Sequence, residues 1–82
     1  MRVPNASGQR QHAALAALGS AIRLIRKNQG ISQERLALLA DIDRSYVGRV
    51  ERGDNNVAVL TLLKLATALD TSLAQLMKQA RL

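Results

Sequence analysis

The side chains with the most chemical reach in this 82-residue chain are guanidiniums. Nine of its twelve cations are Arg, and three of these fall in one nine-residue run, Arg44-Ser45-Tyr46-Val47-Gly48-Arg49-Val50-Glu51-Arg52. At helical pitch Val47 and Val50 share one face, and Arg44, Ser45, Arg49 and Arg52 point away from it. The planar fork of an Arg donates two parallel hydrogen bonds to a phosphate or to a guanine edge, which a Lys does not. The formal net charge of +6 fits a polyanionic partner as well as it fits an ordinary solvated basic surface. Catalysis has far less material. There is no Cys and only one His, which excludes disulfides, thiolate metal sites and a His-centred triad. No carboxylate pair, no nucleophile with its base and no phosphate-cradling glycine loop appears. The expectation is a binding protein without enzyme activity, metal or cofactor.

The elements that must carry this run are all helical. Residues 1–12 hold the only Pro and a polar stretch, and read as a flexible leader. A first helix is expected over 13–28, with Leu15, Leu18, Ile22 and Ile25 on its buried face and Gly30 as its left-handed stop. A second spans 32–40, begun by Ser32, with Glu34 near the positive end of its dipole. Asp43 caps the third, 44–52, which Gly53 closes. A fourth covers 59–69 with Val59, Leu62, Leu63, Ala66 and Leu69 inward. Ala58 stands where its cap belongs. Ser72 starts the fifth, 73–80. The fold class is all-α with five helices and no strand signal. No apolar run approaches the ~18 residues of a membrane span.

Ile31 to Gly53, "ISQERLALLADIDRSYVGRVERG", is a capped helix, a three-residue turn and a second capped helix, the pattern of a helix-turn-helix. The major groove of a duplex admits one such helix. The third helix offers hydrogen-bonding groups outward and apolar anchors inward, with Gly48 keeping its profile low between Ser45 and Arg49.

The chain resembles the Xre/Cro-like helix-turn-helix regulators, which include lambdoid phage repressors. The resemblance rests on "LGSAIRLIRKNQGISQERLA", "YVGRVERG" and "LLKLATALDTSLAQL", and spans Leu18 to Leu76. The string "DRSYVGRVERGDNNVAVLTLLKLATALD" is similar in particular to the controller proteins of restriction–modification systems. The resemblance implies a Cro/lambda-repressor-like domain over 13–82. It also implies a cytoplasmic, nucleoid-associated protein of bacterial or phage origin.

Residue by residue, the resemblance implies base contacts from Arg44 and Ser45, and from Arg49 a contact to a further base or to a phosphate. Tyr46 packs on the sugar–phosphate edge, touches a thymine methyl, or covers the turn. Gln33 would hold a phosphate and steady the next helix, and Arg52 would clamp the backbone. Apart from the resemblance, Asp54-Asn55-Asn56 reads as a turn, with a phosphate contact from Asn55 as the other reading. Arg26 and Glu51 match positions that the family joins in a buried ion pair, which is a structural role.

One helix reads few base pairs, so a homodimer is expected, with half-sites about 34 Å apart. Leu60, Leu65, Leu73, Leu76, Met77 and Leu82 supply more apolar surface than five helices need. Leu60, Leu73, Leu76 and Met77 are the expected interface. The alternative is that Leu73 and Leu76 only close the monomer core. The expected function is sequence-specific regulation of transcription on a palindromic double-stranded operator, as a restriction–modification controller. RNA polymerase is a further candidate partner. An antitoxin or prophage repressor is the other reading within the fold. A protein–protein module without DNA affinity is the reading outside it, and the basic face of the third helix argues against that one.

Overall fold

The computed structural model describes residues 4–82, with side chains described from residue 13 onward. Five helices follow in order: α1 (Pro4–Asn28), α2 (Gln33–Ala40), α3 (Arg44–Arg52), α4 (Val59–Ala68) and α5 (Leu73–Gln79). The first helix starts earlier than the pattern suggested. Pro4 occupies its first position, where the missing N–H has no intrahelical partner to lose. The leader expected over 1–12 therefore falls on residues whose side chains, and for 1–3 whose backbone, lie outside the described set.

The boundaries around the central pair of helices have local causes. Ser32 accepts from the Arg35 amide at the start of α2, and Asp41 ends that helix in the left-handed conformation at φ 57°. Asp43 accepts from the Ser45 amide at the start of α3, and Gly53 ends it at φ 75°. Each cap satisfies backbone groups that a helix end leaves open. Ser72 does the same for α5 by accepting from the Gln75 amide. No side chain caps α4, in keeping with Ala58 at that place.

The core is built from Leu18, Ala21 and Ile22 of α1, Leu36, Ala37 and Ala40 of α2, Val47 and Val50 of α3, with the buried residues of α4 and α5 beneath them. α3 packs against α1 and α2, α2 against α4, and α5 against α1 and α4. Among the described residues no single helix is long and apolar enough to cross a membrane.

The expected faces of α4 and α5 need correction. Leu65 is 0% exposed and lies in the core, whereas Val59 and Leu63 are 62% and 42% exposed. The buried set is Leu62, Leu65, Ala66 and Leu69, a clean i, i+3, i+4, i+7 stripe. Leu76 is also 0% exposed. It has no surface left to offer a partner, and Leu73 and Met77 are half-buried against the same core. Of the four residues expected at an interface, Leu60 alone stands free, at 73% exposure.

Candidate nucleic-acid interface

α3 has two unlike sides. Val47, Gly48, Val50 and Glu51 are buried, while Arg44, Ser45, Arg49 and Arg52 are exposed. The expected guanidinium face is therefore open to solvent along the whole helix.

The helix is held from beneath by a polar network. Arg26 of α1 donates from Nε to Glu51 Oε2 at 2.6 Å and from Nη2 to Glu51 Oε1 at 3.0 Å. Its Nη1 donates to the Ile31 carbonyl at 2.9 Å. The pair is nearly excluded from water, with side-chain exposures of 9% and 3%. The hydrogen bond to Glu51, aided by its charge, raises the Arg26 pKa against the opposing effect of burial, so the guanidinium is fixed in its charged form. A bidentate fork with its third edge also satisfied is the geometry a buried pair needs to offset desolvation.

Gln33, the first residue of α2, extends this network outward. Its Nε2 donates to Glu51 Oε1 at 3.0 Å, and its Oε1 accepts from Arg44 Nη1 at 3.2 Å. One amide thus ties the buried pair to the first side chain of α3. Sequence reasoning gave Gln33 a steadying role but not this chain of partners. The link crosses eighteen positions to Glu51 and eleven to Arg44, and no local pattern announces it.

The Ser45 hydroxyl donates to Asp43 Oδ2. That bond is the main reason the Asp43 carboxyl lies below its ordinary pKa; the Ser45 amide and the Arg49 charge help. The cap therefore stays ionised in acid that would protonate a free carboxylate. Tyr46 is half-buried against the core, and the Arg49 guanidinium lies 5.6 Å from its ring centroid, within cation–π range. Arg52 Nε donates to Asp54 Oδ2 at 3.0 Å in an exposed pair. Asn55 is half-buried in the loop after α3. Gly48 does not lie on the outer face: it is buried, and a Cβ there would meet Arg52 Nη1 at 3.3 Å and Gln33 Oε1 at 3.8 Å.

A helix-turn-helix family profile matches residues 22–76 of the chain, more than half its length and all of α2 and α3. The chain belongs to the Xre-like helix-turn-helix family. It is a DNA-binding transcription regulator. Among helix-turn-helix relatives, the control protein C.SmaI of Serratia marcescens is 42% identical over 60 residues, which cover 73% of this chain and 71% of that one. The crystal structure of the restriction–modification controller protein C.AhdI from Aeromonas hydrophila is 52% identical. It superposes with a TM-score of 0.74 over 76% of this chain and 94% of that one. The helix-turn-helix fold reaches beyond controllers. The clp gene regulator ClgR of Corynebacterium glutamicum is 29% identical with a TM-score of 0.80, over 83% of this chain and 72% of that one.

Proposed function

We propose that the protein is a homodimeric controller of a restriction–modification system, reading a palindromic operator with the outer face of α3 in the major groove. The observation that carries the reading is the exposure of Arg44, Ser45 and Arg49 on one side of a helix whose other side is buried. Arg44 is the base-reading residue at the leading end, pre-aimed by its bond to Gln33; its fork suits the O6 and N7 of a guanine. Ser45 and Arg49 read adjacent positions, with Tyr46 propping Arg49. Arg52, Gln33 and Asn55 hold the backbone. The likeness to C.SmaI and C.AhdI supports the controller role over an antitoxin or a prophage repressor.

Arg44→Ala is expected to weaken operator binding by about 1–3 kcal/mol and to relax preference at one base pair per half-site. Selection from random duplexes with both proteins checks this. Equal weakening on every sequence would move Arg44 to the backbone and remove the main support for base reading.

The dimer rests on a different apolar surface from the one the sequence suggested. Leu60 and Leu63 of α4 stand exposed across from Leu39 of α2. A groove of about 420 Å³ runs between them, lined by Leu39, Ala40, Leu60, Leu63, Lys64 and Thr67. A second copy covers this patch, with Leu60 at its centre. Sedimentation at micromolar concentration should show a dimer, and Leu60→Glu should show a monomer of unchanged helicity. A wild-type monomer, or a dimer indifferent to Leu60→Glu, contradicts the assignment.

A further inference from the structure

Between α1, α2 and α3 lies a polar recess of about 250 Å³, lined by Arg23, Arg26, Gln33, Glu51 and Arg52. Its floor is the Arg26–Glu51 pair, whose charges cancel. Both carboxylate oxygens of Glu51 are already occupied by Arg26, and one of them also by Gln33. What remains at the rim is positive. Arg23 of α1 is exposed and has no ion-pair partner among the described residues. Arg52 is held only by Asp54, in a pair that is 62% and 57% exposed and therefore weak. Gln33 keeps one amide hydrogen beyond the one given to Glu51. Gly48 borders the recess, and any side chain there would press into the gap between Arg52 and Gln33.

We propose that this recess seats one backbone phosphate of the bound duplex, with Arg23 of α1 as a phosphate ligand beside Arg52 and Gln33. The inference rests on the DNA-binding reading of α3: a duplex engaged by Arg44 and Arg49 runs its backbone past the start of α2 and the end of α3, where the recess opens. The seat draws on three helices at once. It would register the duplex against the body of the protein and not against α3 alone. The neutral floor matters as much as the rim. An unpaired Glu51 would repel the phosphate, and Arg26 keeps it paired. Seating the phosphate also requires Arg52 to exchange Asp54 for the incoming oxygen, a swap of one exposed partner for a charge-assisted hydrogen bond.

The test measures duplex affinity against salt concentration for the wild type, Arg23→Ala, Arg23→Lys, Arg52→Ala and the double alanine variant. Lys78→Ala is the control for loss of charge at a distance, since Lys78 sits on α5, which contributes no residue to the recess. Arg23→Ala should weaken binding several-fold on operator and unrelated duplex alike. Arg23→Lys should recover most of the lost affinity. Because both Arg residues grip one phosphate, the double variant should lose about 0.9 from the slope of log K against log salt, and about eight-fold in affinity at 0.1 M salt. Arg23→Ala behaving like Lys78→Ala overturns the proposal. So does a double-variant slope loss of about 1.8, which would mean two separate phosphates. A wild type that binds no duplex at all would overturn the DNA-binding reading itself, a result distinct from either.

Discussion

Glu51→Ala is expected to lower the stability of the domain by about 3–5 kcal/mol, because it leaves a buried guanidinium without its counter-charge. Arg26 would keep only the Ile31 carbonyl, and the Gln33 amide would lose its acceptor as well. A chain of this length has roughly 4–12 kcal/mol in total at about 0.05–0.15 kcal/mol per residue, so the change removes a large share of what holds it folded. Urea denaturation followed by circular dichroism measures it, with an unchanged slope marking a true stability loss. The double variant Arg26→Met/Glu51→Leu should recover most of the loss, since replacing both charges with apolar groups removes the unpaired ion. A cost below about 1 kcal/mol for Glu51→Ala would show a pair no stronger than a surface bridge. DNA binding by Glu51→Ala should fall together with stability, through the folded fraction and through the lost anchor of Gln33, which aims Arg44. That separates this residue from Arg44, whose loss leaves folding intact.

Gly19→Ala carries the second large effect, and two terms oppose each other there. Within a helix, Ala is favoured over Gly by up to about 1 kcal/mol. Against this, a Cβ on Gly19 would stand 2.5 Å from the Glu51 carbonyl oxygen and closer still to that of Val50. Both obstacles are backbone, at the end of α3, and cannot rotate aside as a side chain could. α1 and α3 must separate, and overpacking of this kind costs about 1–3 kcal/mol or more. The clash wins, with a net loss of about 2 kcal/mol expected in the same denaturation assay. A stabilised Gly19→Ala variant would mean that α3 sits farther from α1 than described. Because α3 is the proposed reading helix, its displacement should also weaken operator binding beyond what the unfolded fraction explains.

What could be read in advance follows the range of the interactions involved. The ends of α2, α3 and α5 were legible because Ser32, Asp43, Gly53 and Ser72 act on amides and carbonyls within a turn of themselves. The outer face of α3 was legible because Val47 and Val50 leave only one way to bury it. The face of α4 was not. Val59, Leu60, Leu62, Leu63 and Leu65 put an apolar side chain in nearly every direction, so periodicity selects no single stripe. The choice falls to the packing of α2 and α5, and it turned Leu65 inward and Leu63 out. Leu76 shares one stripe with Leu73 and Met77, and the sequence of α5 does not say whether that stripe meets a partner or closes against α1 and α4, as it does. The recess at Arg23 and the Gln33 bridge were invisible because the first joins residues of three helices and the second residues of two. The pairing of Arg26 with Glu51 came from resemblance alone, since twenty-five positions separate them.

The central claim is that the exposed side of α3 enters the major groove. Methylation interference tests it most directly, because one reagent marks guanine N7 in the major groove and adenine N3 in the minor groove. On a selected operator, N7 methylation of one guanine in each half-site should block binding of the wild type, and Arg44→Ala should become indifferent to that mark. Binding that ignores every N7 methyl but is blocked by N3 methyls would place the protein in the minor groove and contradict the account.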